Sequence, residues 1–133
     1  MEKQLRQVRE FHEVFSCHIE RAPTVEIPRE VGDVRVRLMR EELEEYEQAL
    51  AAGDLVEVAD ALSDLLYVVL GSYLSHGLQD VAESLFAEVH RSNMSKLGKA
   101  GQPILRDDGK ILKPDHFSPP DLKVIIESLK GAG

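Results

Sequence analysis

The chain has 133 residues, 43% hydrophobic and 30% charged, with a formal net charge of −8. This length suits one domain with a modest core, and the composition excludes a disordered polymer. The acidic balance argues against a nucleic-acid partner, and the single cysteine, Cys17, excludes an intrachain disulfide, making the cytoplasm the expected compartment.

The charged start MEKQLRQVREF lacks the apolar stretch of a secretory leader. Residues 3–19 are predicted to form a helix, because Leu5, Val8, Phe11, His12, Phe15 and Ile19 recur at three- and four-residue steps. Two prolines in RAPTVEIP, 21–28, interrupt it. A second helix is expected over 31–51, with Met39, Leu43, Tyr46 and Leu50 as its core stripe and Gly53 as its stop. Asp54 and Glu57 have the spacing of a capping box for a third, central helix over 55–75. Its run ALSDLLYVVLGSYL is shorter than the ~20 residues of a membrane span and contains Asp64, so no membrane association is expected. Asp80 and Glu83 repeat the capping spacing before a fourth helix reaching residue 91, with Val81, Leu85, Phe86 and Val89 buried. Residues 98–121 are rich in Gly, Pro and Asp and are expected to be loop, with a short hairpin at Asp108-Gly109. Ser118-Pro119 is expected to cap a last short helix carrying Leu122, Ile125, Ile126 and Leu129. The prediction is an all-α, four- to five-helix bundle, one domain over 1–133, with 98–121 as a loop-rich lid or tail.

REELEEYEQAL, 40–50, packs five glutamates into positions 40–47. On a helical wheel centred on Met39, Glu44 and Glu47 fall on one side, where water is expected. Glu42 and Glu45 fall on the other, beside Leu38 and Ala49, and Glu41 lies beyond them. In isolation a solvated helix face is the favoured reading of these glutamates. On the third helix Asp60 and Asp64 share a face that Tyr67 and Gly71 extend. Asp64 sits in an apolar run, and a buried carboxylate needs a partner. No lysine or arginine occurs between 41 and 90. A divalent cation between two helices meets that need, and an all-oxygen donor set favours Mg²⁺, or Mn²⁺, over zinc. Such a site can clamp phosphates and activate water.

AEVHRSNMSKLGK, 87–99, collects Arg91, Asn93 and Lys96 at a helix end. Arg91 and Lys96 suit a phosphate and Asn93 a sugar hydroxyl or base edge; a basic helix terminus is the plainer explanation. Lys110 and Lys113 lie in the loop-rich segment, as part of a lid or of a wet loop. His12 is expected at the core edge, and Cys17 has no partner that would make it a nucleophile.

Together, EELEE, DALSDLLYVVLG, EVHRSNMSK and RDDGKILKP resemble the MazG-like all-α nucleoside triphosphate pyrophosphohydrolases, near the branch related to dimeric dUTPases. Phosphoribosyl-ATP pyrophosphohydrolase belongs to the same group. The resemblance places the metal motif on Glu41, Glu42, Glu45 and Asp64, and substrate contacts on Asn93 and Lys96. Ala61 stands where the pattern has an acid, and Asp60 or Glu57 is the available substitute. It implies Mg²⁺-dependent cleavage of a nucleoside triphosphate, dUTP or another pyrimidine deoxynucleotide first, between the α and β phosphates. Glu41 or Glu42 would act on the attacking water. A homodimer or dimer of dimers is implied as well. The alternatives are phosphoribosyl-ATP pyrophosphohydrolase activity and a non-catalytic nucleotide or metal sensor.

Overall fold

Leu5, Val8 and His12, spaced to share one helix face, are the buried residues of α1, Glu2–Val14. The helix ends before the predicted residue 19. Ser16 takes a left-handed φ of 56°, and the Cys17 amide turns back to donate to the His12 carbonyl at 2.8 Å. His18 and Ile19 therefore leave the helix. The computed structural model describes residues 1–130, which form two compact units, Met1–Asp80 and a second from Val81 onward.

In the first unit Pro28 precedes α2, Arg29–Ala52, and Gly53 follows it. The predicted stripe is not its buried face. Leu43 and Leu50 are 51% and 54% exposed, whereas Ala49 is the residue α2 buries fully. The helix has rolled toward the side that carries Leu38, Glu42 and Ala49. Periodicity reveals where apolar residues lie, not which of them a neighbouring helix covers. Next comes α3, Leu55–Ser75, whose start is fixed by the Asp54 carboxylate accepting from the Val56 and Glu57 amides at 2.9 and 3.2 Å. It buries Ala61, Leu70, Gly71 and Leu74 and packs on both α1 and α2, as a central helix should.

The irregular segment after α1 is fastened to the end of α3. Glu20 donates its amide to the Leu74 carbonyl at 2.9 Å, Thr24 to His76 at 3.0 Å, and His76 Nδ1–H returns to the Thr24 carbonyl at 2.9 Å. Gly77 makes this approach possible. Its φ is +68°, and a Cβ there would lie 2.2 Å from the Ala22 carbonyl oxygen.

Asp80, the last residue of the first unit, is not the expected cap. A 3₁₀ turn, Gln79–Val81, leads into α4, Ala82–Met94, which has no side-chain cap. Val81 and Leu85 are buried as predicted, but Phe86 remains 60% exposed and Val89 37%. The last helix, α5, spans Leu122–Lys130. Asp121, not Ser118, accepts from its first turn, at Val124 N, 3.4 Å. Ser118 instead donates its amide to Ser95 Oγ. Between α4 and α5 an isolated antiparallel bridge, Leu105 with Ile111, marks the expected hairpin, and a second, Leu97 with Pro103, closes a separate turn before it. The hairpin turn closes from Gly109 N to the Arg106 carbonyl at 2.8 Å. Among the described residues there is no longer strand, so the fold is all-α. No helix among them is long and apolar enough to cross a membrane.

Candidate functional site

α2 and α3 run against each other and bring their acids to one seam. Glu42 is half-buried, and its Oε2 is out of reach of water with no hydrogen-bond partner. Burial holds its carboxyl above the usual carboxylate range, with further upward pressure from the negative charges of Glu45, Asp64, Glu41 and Asp60, in that order. Thus the other four acids singled out in the sequence act on the Glu42 carboxyl, and Asp64 bears on it more than Asp60 does.

Apart from Glu42 these side chains are exposed, Asp64 included. Glu44 and Glu47 face water, as the wheel predicts. Glu41 lies 3.7 Å from Arg37 in an exposed ion pair. Glu45 and Glu57 line a separate cleft of about 450 Å³ with Gln48, Ala49 and Ala52. Ala61, at the position where an acid was expected, is only 2% exposed. Among the described residues no three His, Cys, Asp or Glu side chains already form a cage that could hold an ion. The donor set nevertheless fits a hard cation in kind. The seam offers only carboxylate oxygens, and one of them is buried without a proton donor.

A cavity of about 260 Å³ opens beside the seam, with Glu42 and Asp64 in its lining. Phe11, Leu38, Tyr67 and Val68 form its apolar walls, and Phe11 meets Tyr67 edge to face at 5.8 Å. Its remaining polar lining is Arg35 and His12. His12, 2% exposed, donates Nδ1–H to the His18 carbonyl at 3.1 Å, which leaves Nε2 to accept from Arg35 Nη1 at 3.5 Å. Burial lowers the His12 pKa, reinforcing this neutral tautomer, and outweighs the opposing hydrogen bond to His18.

Arg35 and Gly71 received no functional role from the sequence. Gly71 carried the available signal. A glycine inside a long apolar helix costs stability relative to alanine and usually has a packing reason.

The basic candidates lie in the second unit. Arg91 forks onto Glu88, at 2.8 and 2.7 Å, and also donates to the Pro119 carbonyl at 3.2 Å. Glu88 accepts from the Asp121 amide as well, at 2.9 Å. The Arg91 hydrogen bonds, then that amide, draw the Glu88 pKa down to about 2. Lys96 Nζ donates to Asn93 Oδ1 at 2.8 Å. Lys113 sits over the Phe117 ring at 4.9 Å, and Lys110 is exposed in the hairpin.

No curated protein matches the chain. The family profile described as phosphoribosyl-ATP pyrophosphohydrolase matches residues 8–93, which takes in the second half of α1, the acid seam, Arg91 and Asn93. The chemistry common to that family is pyrophosphohydrolysis of a nucleotide, and acids converging between two helices are groups that can serve it. With 86 of its 133 residues matched, the chain belongs to the phosphoribosyl-ATP pyrophosphohydrolase family, within the all-α MazG-like group.

Proposed function

We propose that the protein hydrolyses a nucleoside triphosphate, dUTP or a related pyrimidine deoxynucleotide foremost, between the α and β phosphates. The products are the monophosphate and pyrophosphate. The observation that carries this reading is Glu42 Oε2, buried and unpaired while four further acids press on the same carboxyl. Glu42 and Asp64 are the principal ligands for Mg²⁺, with Mn²⁺ as substitute, and Glu41, Glu45 and Asp60 complete the acidic rim. When bound, the ion neutralises phosphate charge and acidifies a water. Glu42 holds its carboxylate in the seam, and Glu41, next to it and exposed, orients that water and accepts its proton. The water oxygen bonds to the α phosphorus as the bond from that phosphorus to the bridging oxygen breaks, and pyrophosphate carries away the electron pair. Asn93 and Lys96, already paired, serve sugar and phosphate, with Arg91, Lys110 and Lys113 as further cationic contacts.

A homodimer is part of this reading, with a dimer of dimers as the larger form. Leu43, Leu50, Leu55 and Leu62 are 46–79% exposed on α2 and α3, more apolar surface than a lone small domain usually leaves wet. Phosphoribosyl-ATP as substrate is the second reading, favoured by the description of the matching family.

The test is a panel of nucleoside triphosphates and phosphoribosyl-ATP with Mg²⁺, resolving every phosphate product. Monophosphate and pyrophosphate from pyrimidine deoxynucleotides are expected. Diphosphate with orthophosphate would overturn α–β cleavage. Turnover of phosphoribosyl-ATP alone would select the second reading, and binding without turnover would mean a sensor.

A further inference from the structure

Arg35 is a half-buried cation without an anion. Although the chain holds 24 acidic residues, no carboxylate pairs with Arg35 among the described residues. Its one hydrogen bond goes to a neutral imidazole, His12 Nε2. A guanidinium has five N–H groups, so most of the donors of Arg35 have no protein acceptor.

Its position is built rather than incidental. A Cβ at residue 71 would stand 2.5 Å from Arg35 Nη1 and 2.9 Å from His12 Nε2. Gly71 thus leaves a notch in α3 that the guanidinium fills. His12, locked by the His18 carbonyl, holds it from α1. Three helices fix one side chain at the wall of the 260 Å³ cavity.

That cavity is smaller than the ~300–1,000 Å³ of a site for a whole drug-sized ligand, so it suits one ring rather than an entire nucleotide. Phe11 and Tyr67 offer aromatic surfaces to a planar partner. Arg35 and Glu42 lie seven residues apart on α2, two turns or about 10.5 Å of rise. A nucleotide with its phosphates at the acid seam can therefore extend its base toward Arg35.

We propose that Arg35 determines base specificity, donating from its guanidinium to the carbonyl edge of a pyrimidine ring, with Gly71 and His12 as its positioning residues. The inference rests on the nucleotide reading above. It adds the group that distinguishes a ring with acceptors from one without.

Calorimetric titration of the full chain with Mg²⁺ tests it, using three probes. These are dUMP, the analogue of dUMP with a phenyl ring as base, and tripolyphosphate. Wild type should prefer dUMP to the phenyl analogue. R35Q and R35K should each weaken dUMP by roughly 10- to 100-fold, the range of a hydrogen bond from a charged donor, and leave the other two probes unchanged. R35K keeps the charge and loses the planar fork, so full retention of dUMP affinity in R35K would overturn the proposal. G71A, which must displace the guanidinium, should weaken dUMP in the same direction and provides the decision if R35Q does not fold. An equal loss for tripolyphosphate would make Arg35 a phosphate contact and overturn the idea. So would the absence of dUMP binding by wild type, or binding of dUMP no tighter than its phenyl analogue. Arg35-dependent dUMP binding in a protein that cleaves no triphosphate would defeat the catalytic reading and leave this one standing. Cleavage that ignores the ring would do the reverse.

Discussion

Glu42 is one letter in a run of five glutamates, yet its Oε2 alone among them is buried without a partner. Without a cation the seam is frustrated: the carboxyl is desolvated and pressed by neighbouring acids. Replacing it by an amide relieves that repulsion. Glu42→Gln should therefore raise the melting temperature of metal-free protein, on the order of 2–6 °C, while abolishing the further rise on adding Mg²⁺. Thermal scans with and without Mg²⁺ provide the check, and a mutant that still gained stability from Mg²⁺ would remove Glu42 from the ligand set. The sequence already separated Glu42 from Glu44 and Glu47, because wheel position decides which carboxylates meet another helix. Arg35 was not legible in the same way. Its placement depends on a missing side chain at Gly71, 36 residues away, and single-sequence patterns do not register a gap in a partner helix.

For the elements, the start of α3 was legible because Asp54 supplies a cap whose chemistry is local. The opposite happened at α4, where the Asp80 spacing was right and a 3₁₀ turn took its place. On α2 the helix was legible and its buried face was not, since the choice between the Leu43 side and the Ala49 side is made by α3. The join between α4 and α5 is held by Glu88, which ties Arg91 to the Asp121 amide. This link has a definite pH sign. The folded pKa of Glu88, about 2, lies below its ordinary 4.5, so the link is intact above pH 4.5 and is lost as pH falls toward 2. Amide exchange at Asp121 should be slow near neutrality and accelerate across that window beyond the intrinsic pH trend. In Glu88→Gln the protection should be weak and the extra pH dependence absent. Because the Arg91 side chain is 47% exposed, added salt should blunt the effect.

Over the whole molecule, the exposed leucines of α2 and α3 are the feature that a lone chain leaves unexplained. Leu43→Glu and Leu62→Glu add charge to this surface without touching the seam. If copies of the chain cover it, each variant should shift the mass by light scattering toward that of a monomer, with helix content by circular dichroism retained. A wild-type protein that is monomeric at micromolar concentration would end the dimer reading. The all-α class was legible from periodicity because helix-forming patterns are local. The division into two units was not, because it depends on contacts between residues distant in sequence.

The fastening of residues 18–24 to the end of α3 has a consequence for timing. His12 owes its orientation to the His18 carbonyl, which also accepts from Ser75 Oγ at 3.3 Å. The neighbouring bonds from Glu20 and Thr24 bridge more than fifty residues of sequence and belong to no regular element. Segments held in this way are the kind that open locally below the cost of global unfolding. Whenever this strap lifts, the imidazole loses its anchor and the guanidinium behind it loses its stop. The lifetime of the closed strap thus bears on how long the cavity wall holds one shape, and an irregular stretch of chain acts there beside the three helices.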